Sequence, residues 1–319
     1  MFGKFQPSVA AHCPAITALK KAGACTIILL VFSLSAPAAR LVRDDLGRSV
    51  SVPDQVHRVI CLTPSITNTV YAIGGGTDIA GITDYTDYPP QAAHEKPSIG
   101  DILHPSLEKI ASLHPDLAIA VATLNSPETV QGIERIGIPV FLVSDKGLAG
   151  LYRSISSIGL ALGREREAAL LIGQLRARER RVRSLAAQAG RGPSVFLVLS
   201  LDPCITAGSG AFISELISAA GARPITSDLA QDWLRVSLEA MISRKPDYVL
   251  VLQDSPFGLN EMRQRPGWSS LDAVRLGHVI RVDGRLQFPS PVAFDALEDF
   301  ARQIRALPAT SPGSTRRHL

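Results

Sequence analysis

Residues Ser106–Ala120 read SLEKIASLHPDLAIA, and residues Ser237–Val251 read SLEAMISRKPDYVLV. Laid together without a gap, Ser106 matches Ser237, Leu107 matches Leu238, Glu108 matches Glu239, Ser112 matches Ser243, Pro115 matches Pro246 and Asp116 matches Asp247. Each copy has a helix start, a helix that stops before Pro-Asp, and an apolar strand. Such self-similarity between distant segments predicts two lobes built alike. If Ser106 and Ser237 cap their helices, Glu108 and Glu239 fall in the first turn, where a carboxylate gains roughly 0.3 to 1 kcal/mol from the helix dipole. Paired carboxylates also perform hydrolysis, but that requires them to face each other within about 5 to 10 Å. Equivalent positions on two lobes need not do so.

Around the first copy the chain alternates strand and helix. RVICLTPS (Arg58 to Ser65) gives a strand ending in capping residues, and ITNTVYAIGGG a helix closed by Gly74 to Gly76. IAGIT, LAIAVA and PVFLVS supply further strands, with the turn-rich DYTDYPP and a helix from about Pro127 between them. This alternation predicts a parallel sheet covered on both faces. From Leu148 to Gly190 the pattern is helical without strands. Its second part places Ala168, Leu171, Ile172, Leu175, Val182 and Leu185 on one face, with Arg and Glu on the other. A long helix between two α/β regions acts as a stiff spacer. Alternation resumes with SVFLVL, a turn at DPCITAGSG, the helix AFISELISAAG, a segment around Trp233 and the second copy. A helix near GWSSLDAVRLG, the strand HVIRV and a last helix, PVAFDALEDFARQIRAL, follow. The expected organisation is residues 1–38 signal peptide, 39–147 N-terminal lobe, 148–190 linking helices, 191–307 C-terminal lobe and 308–319 disordered tail.

The 319 residues, 46% hydrophobic, suffice for a sizeable core and favour two domains. Lys20 and Lys21 precede the apolar run Ala22 to Ser35, and APA at Ala36 to Ala38 supplies a small-residue cleavage site. Export with cleavage after Ala38 is expected, because the run is shorter than the roughly 20 residues of a membrane span. The net charge of +4 includes Lys4, Lys20 and Lys21 in that segment, so the body carries about +1. With no basic run expected in the body and 5% aromatic residues, nucleic-acid binding is set aside. Cys61 and Cys204 remain in the body, far apart, and are expected as separate thiols. His57, His94, His104, His114 and His278 show no metal-binding spacing, and HEK at His94 reads as surface loop. AGSGAF at Ala207 lacks the G-x-S-x-G spacing of a hydrolase, and LTPSIT lacks the glycines of a dinucleotide loop. No cofactor or resident metal is expected.

RVICLTPSITNTVYAIG, GITDYTDYPPQA, PSLEKIASLHPDLAIA, ERIGIPVFLV and the second SLE copy together resemble the periplasmic binding proteins of iron-siderophore, haem and vitamin B12 ABC importers, with the cobalamin-binding members nearest. The resemblance runs from about Arg58 to Leu307. It implies the class III fold: two Rossmann-like lobes with parallel sheets, joined by a single long backbone helix, holding ligand in the cleft between them. It implies a monomeric periplasmic protein that carries cobalamin or a related corrinoid, or alternatively haem or a ferric siderophore, to the permease dimer of an inner-membrane ABC importer. It implies that Glu108 and Glu239 dock on arginines of that permease, and that Tyr85, with neighbouring Tyr88, and Trp233 contact ligand. The loop DGRLQFPSPVAF brings Arg285 and Phe288 to the cleft in place of an expected acidic and basic pair, and Ile102 stands where some cobalamin binders have an aromatic. His104, just before the first SLE, reads as surface.

Overall fold

The computed structural model describes residues 39–308. The expected signal peptide and the tail from residue 309 lie outside the described residues. The chain enters through an antiparallel hairpin, β1 (Ala39–Arg43) and β2 (Ser49–Pro53), which the polar lead-in did not announce. Then come β3 (Val59–Cys61), α1 (Pro64–Ala72), β4 (Ile79–Ile82), α2 (Pro90–Glu95), α3 (Leu107–Ser112), β5 (Leu117–Val121), α4 (Pro127–Arg135) and β6 (Val140–Val143). The strands form a parallel sheet in the order β4-β3-β5-β6.

Two helices follow, α5 (Gly147–Leu162) and α6 (Glu165–Gln188), the latter about 36 Å long by its rise per residue. Next are β7 (Ser194–Val198), β8 (Ser200–Leu201), β9 (Cys204–Ala207), α7 (Phe212–Ala219), β10 (Arg223–Pro224), β11 (Trp233–Arg235), α8 (Leu238–Ser243) and β12 (Tyr248–Leu252). The chain ends with α9 (Leu259–Gln264), α10 (Asp272–Arg275), β13 (Val279–Val282) and α11 (Ala293–Ala306). The second parallel sheet runs β10-β7-β12-β13. In both sheets the first strand in sequence sits second in space, with the second on its outer edge and the third and fourth on the other side. The fold is therefore two similarly wound α/β lobes with parallel sheets.

The repeat occupies the same place in both. Ser106 and Ser237 are N-caps, accepting from the N–H of Lys109 at 3.3 Å and of Ala240 at 3.4 Å. Each helix stops at a left-handed residue before proline, His114 at φ 44° and Lys245 at φ 49°. The strands that follow, β5 and β12, are buried along their whole length, as parallel strands covered on both faces must be. Alternate residues face different cores. Leu117, Ile119 and Val121, like Tyr248, Leu250 and Leu252, join one core shared by both lobes with α1, α5, α6, α7 and α11. Ala118 and Ala120 join a core private to the first lobe, and Val249 and Val251 one private to the second. Ile110 of α3 and the matching Met241 of α8 seal these private cores, leaving Glu108 and Glu239 on exposed turns.

The shared core is spanned by α6, whose buried stripe is Ala168, Leu175, Val182 and Ala186. Leu171 and Ile172 pack beside it, whereas Leu185, expected on this face, is exposed and Ala186 takes its place. The helix is fastened at its start and near its middle. Arg164 pairs with Asp78 of the first lobe at 2.7 Å, and Arg178 pairs with Asp295 at 2.6 Å and Glu298 at 2.8 Å on α11. These carboxylates hold the Arg178 guanidinium even more firmly protonated than usual. Arg176 to Arg183 carries five arginines, so the body does contain a basic run. Arg178 is engaged as described, Arg183 pairs with Glu179 and Arg176 lies over the Tyr152 ring.

Other local expectations shift. DPCITAGSG is not only a turn, because Cys204–Ala207 forms β9, flanked by β8 and β11 in an antiparallel sheet. His94 lies in the last turn of the short helix α2 and is not in a loop, and α9 was not foreseen. Cys61 and Cys204 are both free, the first in the shared core and the second in the private core of the other lobe.

Candidate functional site

The carboxyl ends of both parallel sheets converge on one cleft, the place where open α/β sheets present their variable loops. Ser65 follows β3, Tyr85 and Tyr88 follow β4, Thr123 follows β5 and Asp145 follows β6. Asp254 follows β12, and Asp283, Arg285 and Phe288 follow β13. Two adjoining cavities of about 280 Å³ each are lined from both lobes and share Ser65, Gln287 and Phe288. Tyr85, Tyr88, Arg285 and Phe288 line the first, while Trp233 and Phe288 line the second. All five residues expected to contact ligand thus stand around one cleft. Glu108 and Glu239 do not line it, and neither does His104, whose exposed side chain lies 3.7 Å from Asp101.

The aromatic lining is unusual in its exposure. Tyr85 is 82% exposed, Phe288 54%, Trp233 46% and Tyr88 40%, and among the described residues no other aromatic side chain is classed as exposed. Every solvent-facing aromatic of the described chain therefore borders the cleft, where rings offer a stacking surface instead of a core. Tyr85 is held there at φ 61°, a conformation a bulky residue rarely takes. Its loop is pinned: the Asp84 N–H donates to Gly100 O at 2.9 Å, Ser98 Oγ donates to Asp84, and Thr86 Oγ1 donates to Thr83 O at 2.8 Å. Trp233 is set by pairing of β11 with β9, opposite Ala207. The signal for this pairing was hidden by the Gly, Ser and Pro around Cys204, which read as turn.

The polar lining is acidic. Asp87, Asp145, Asp232, Asp254 and Asp283 face two cations, Lys146 and Arg285. Arg285 grips Asp283 in a bidentate pair, with Nη2 donating to Oδ2 at 2.7 Å and Nε to Oδ1 at 3.0 Å. The loop thus does carry an acidic and basic pair, two residues apart, correcting the reading that it lacks one. The Arg285 guanidinium holds the Asp283 carboxyl below the usual carboxylate range. Asp145 accepts from Thr123 Oγ1 at 2.8 Å. Among the described residues no group of three or more His, Cys, Asp or Glu could hold a metal ion.

On the outer turns, Glu239 is hydrogen-bonded to Ser237 Oγ at 2.5 Å, and this bond lowers its carboxyl below the ordinary range. Its counterpart Glu108 makes no such bond.

A family model described as periplasmic binding protein matches residues 59–286, which span both sheets and the cleft between them. The chain belongs to the periplasmic binding protein family. It is 27% identical over 270 residues to YvrC of Bacillus subtilis, an uncharacterized ABC transporter substrate-binding lipoprotein, covering 82% of this chain and 84% of that one. It is also 27% identical to the vitamin B12-binding protein of Vibrio cholerae, covering 79% and 91%. In three dimensions it matches the periplasmic heme-binding protein RhuT of Roseiflexus sp. RS-1 with a TM-score of 0.71 and 28% identity, over 78% of this chain and 98% of that one. This periplasmic binding protein is a solute carrier of the ABC-importer type and not an enzyme, and family membership implies export. Among the described residues no helix is long and apolar enough to cross a membrane.

Proposed function

We propose that this periplasmic binding protein captures a corrinoid, cobalamin or a close relative, in the aromatic cleft and delivers it to an inner-membrane ABC permease. The observation that carries this reading is the pairing of an aromatic wall with a lining of five aspartates and two cations. A corrin is a broad flat ring fringed by neutral carboxamides. Its face suits Tyr85, Tyr88, Trp233 and Phe288, and its N–H groups suit aspartate acceptors. The similarity to the Vibrio cholerae vitamin B12-binding protein supports the same choice.

Residues 1–38 act as the export signal in this reading, and the mature chain works as a monomer in the periplasm. Capture needs no covalent step: the lobes flex about α6 and the rings close on the ligand. Glu108 and Glu239 then engage one half each of a two-fold permease, which accounts for their presence on equivalent exposed turns.

Haem is the second reading, favoured by the likeness to RhuT and by two phenols, Tyr85 and Tyr88, able to ligate iron. Its two carboxylates would enter a cleft already rich in negative charge. Calorimetric titration of cyanocobalamin into the mature chain decides between them. Saturable binding, lost in Tyr85→Ala or Trp233→Ala, is expected. Heat with haemin or a ferric siderophore and none with any corrinoid would overturn the ligand while leaving the family intact.

A further inference from the structure

A third cavity, about 490 Å³, adjoins the first cleft cavity at Asn68, Tyr88 and Val292, which line both. It opens where the first lobe, the second lobe and α6 meet: Asn68 and Tyr71 come from α1, Leu171, Gln174 and Leu175 from α6, and Val292 from the start of α11. No part of the reading above uses it.

Its chemistry is asymmetric. Leu171, Leu175 and Val292 give an apolar surface, while α1 brings two polar side chains one turn apart on the same face. Asn68 is buried, and its Nδ2 donates to Pro64 O at 2.9 Å. That bond fixes the amide so that Oδ1 is the free end, and Oδ1 has no hydrogen-bond partner. The buried Tyr71 hydroxyl has none either. A buried amide oxygen and a buried hydroxyl without partners are uncommon in folded proteins; the first takes an N–H or O–H from outside the chain, and the second can donate or accept. The charges argue against an anion. Arg178 is already held by Asp295 and Glu298, and Glu95 has no salt bridge among the described residues.

We propose that this chamber is a subsite for a neutral, N–H-bearing side arm of the ligand, a carboxamide on the corrinoid reading, while the planar ring lies in the cleft. The proposal rests on that reading. It gives the ligand direct contact with α6 and with both lobes at once, so that the arm reports ring occupancy to the spacer between the lobes.

Gln174 is exposed on α6 and lines the chamber but neither cleft cavity. Gln174→Trp narrows the chamber at a position that helix geometry tolerates. Titration with dicyanocobinamide, a carboxamide-fringed corrinoid, is expected to show affinity reduced tenfold or more in Gln174→Trp and several-fold in Tyr71→Phe, with thermal melting of both variants unchanged. Cobyrinic acid heptamethyl ester, the same ring without N–H donors, should bind wild type and Tyr71→Phe alike. Wild-type affinity for dicyanocobinamide in both variants would overturn the subsite and leave the corrinoid reading standing. Absence of corrinoid binding by the wild-type chain would overturn both.

Discussion

Asp247 and Ser194 hold each other across the second sheet: Asp247 Oδ2 accepts from Ser194 N and from Ser194 Oγ, both at 2.7 Å, and Asp247 N donates back to Ser194 Oγ at 3.0 Å. In the first lobe Asp116 Oδ2 accepts from His57 N at 2.8 Å and Arg58 N at 2.9 Å. Each aspartate thus ties the head of the third strand to the head of the first. This is the work of the aspartate that both copies carry at the head of the strand. Hydrogen bonds to a charged acceptor contribute about 1.5 to 3 kcal/mol. Asp247→Ala and Asp116→Ala should each lower unfolding free energy by about 2 kcal/mol in urea titration, and Ser194→Ala by less.

The Arg178 tether is pH-sensitive. The ion pair holds Glu298 below the ordinary carboxylate range. Its contribution is therefore complete above the unfolded value of about 4.3 and fades as pH falls through the lower folded value. The partners are partly exposed, so the pair contributes about 0.5 to 1 kcal/mol. Arg178→Met should lower the urea midpoint at pH 7, and the difference from wild type should shrink at pH 3.

Gly147, at φ +64°, opens α5 against Glu215 of α7, whose Oε2 accepts from Leu148 N at 3.0 Å. A Cβ at this position would lie 2.1 Å from Glu215 Oε1. Gly147→Ala should displace that carboxylate and strain the backbone, lowering stability by about 1 to 2 kcal/mol. Gly147→Ala combined with Glu215→Gln, measured by the same denaturation, should not recover the loss, because the left-handed backbone remains.

Burial pushes the Cys61 thiol up to about 12 and the Cys204 thiol up to about 11. Raised values leave almost no thiolate at pH 8, and thiolate is the reactive form. Ellman's reagent should detect no fast thiol in the native mature chain and two once it is unfolded.

Charge reversal of Glu108 and Glu239 to lysine should leave ligand affinity unchanged, since neither residue lines the cleft. Uptake in cells should be abolished. Full uptake by the doubly reversed chain would return both carboxylates to the role of helix caps.

The repeat could be read because its constraints are local: a capping serine, a chain reversal before proline and a strand buried on both faces leave marks in consecutive residues. The matching sheet orders followed from it. What escaped was set by distant partners. Cys204–Ala207 becomes a strand only because Trp233–Arg235 pairs with it, and its own glycines and proline indicate a turn. The Asp283 and Arg285 pair was overlooked because its members stand two apart around a glycine, and only the curl of that loop brings their charges together. The aromatic residues were visible as types, but their common exposure is a property of two lobes facing each other. Orphaned atoms such as Asn68 Oδ1 have no signature in sequence at all.

The fastening of α6 to Asp78 at one end and to Asp295 and Glu298 further along makes the connection between the lobes elastic. Separating the lobes must bend a helix about 36 Å long or rupture an ion pair, so opening meets a restoring force that grows with displacement. A wide-open form is therefore disfavoured by these ties, and in the proposed cycle shedding the cargo costs free energy. On the proposed delivery to a permease, unloading becomes mechanical work done on the molecule, and the receiving machine contributes the energy that spreads the jaws.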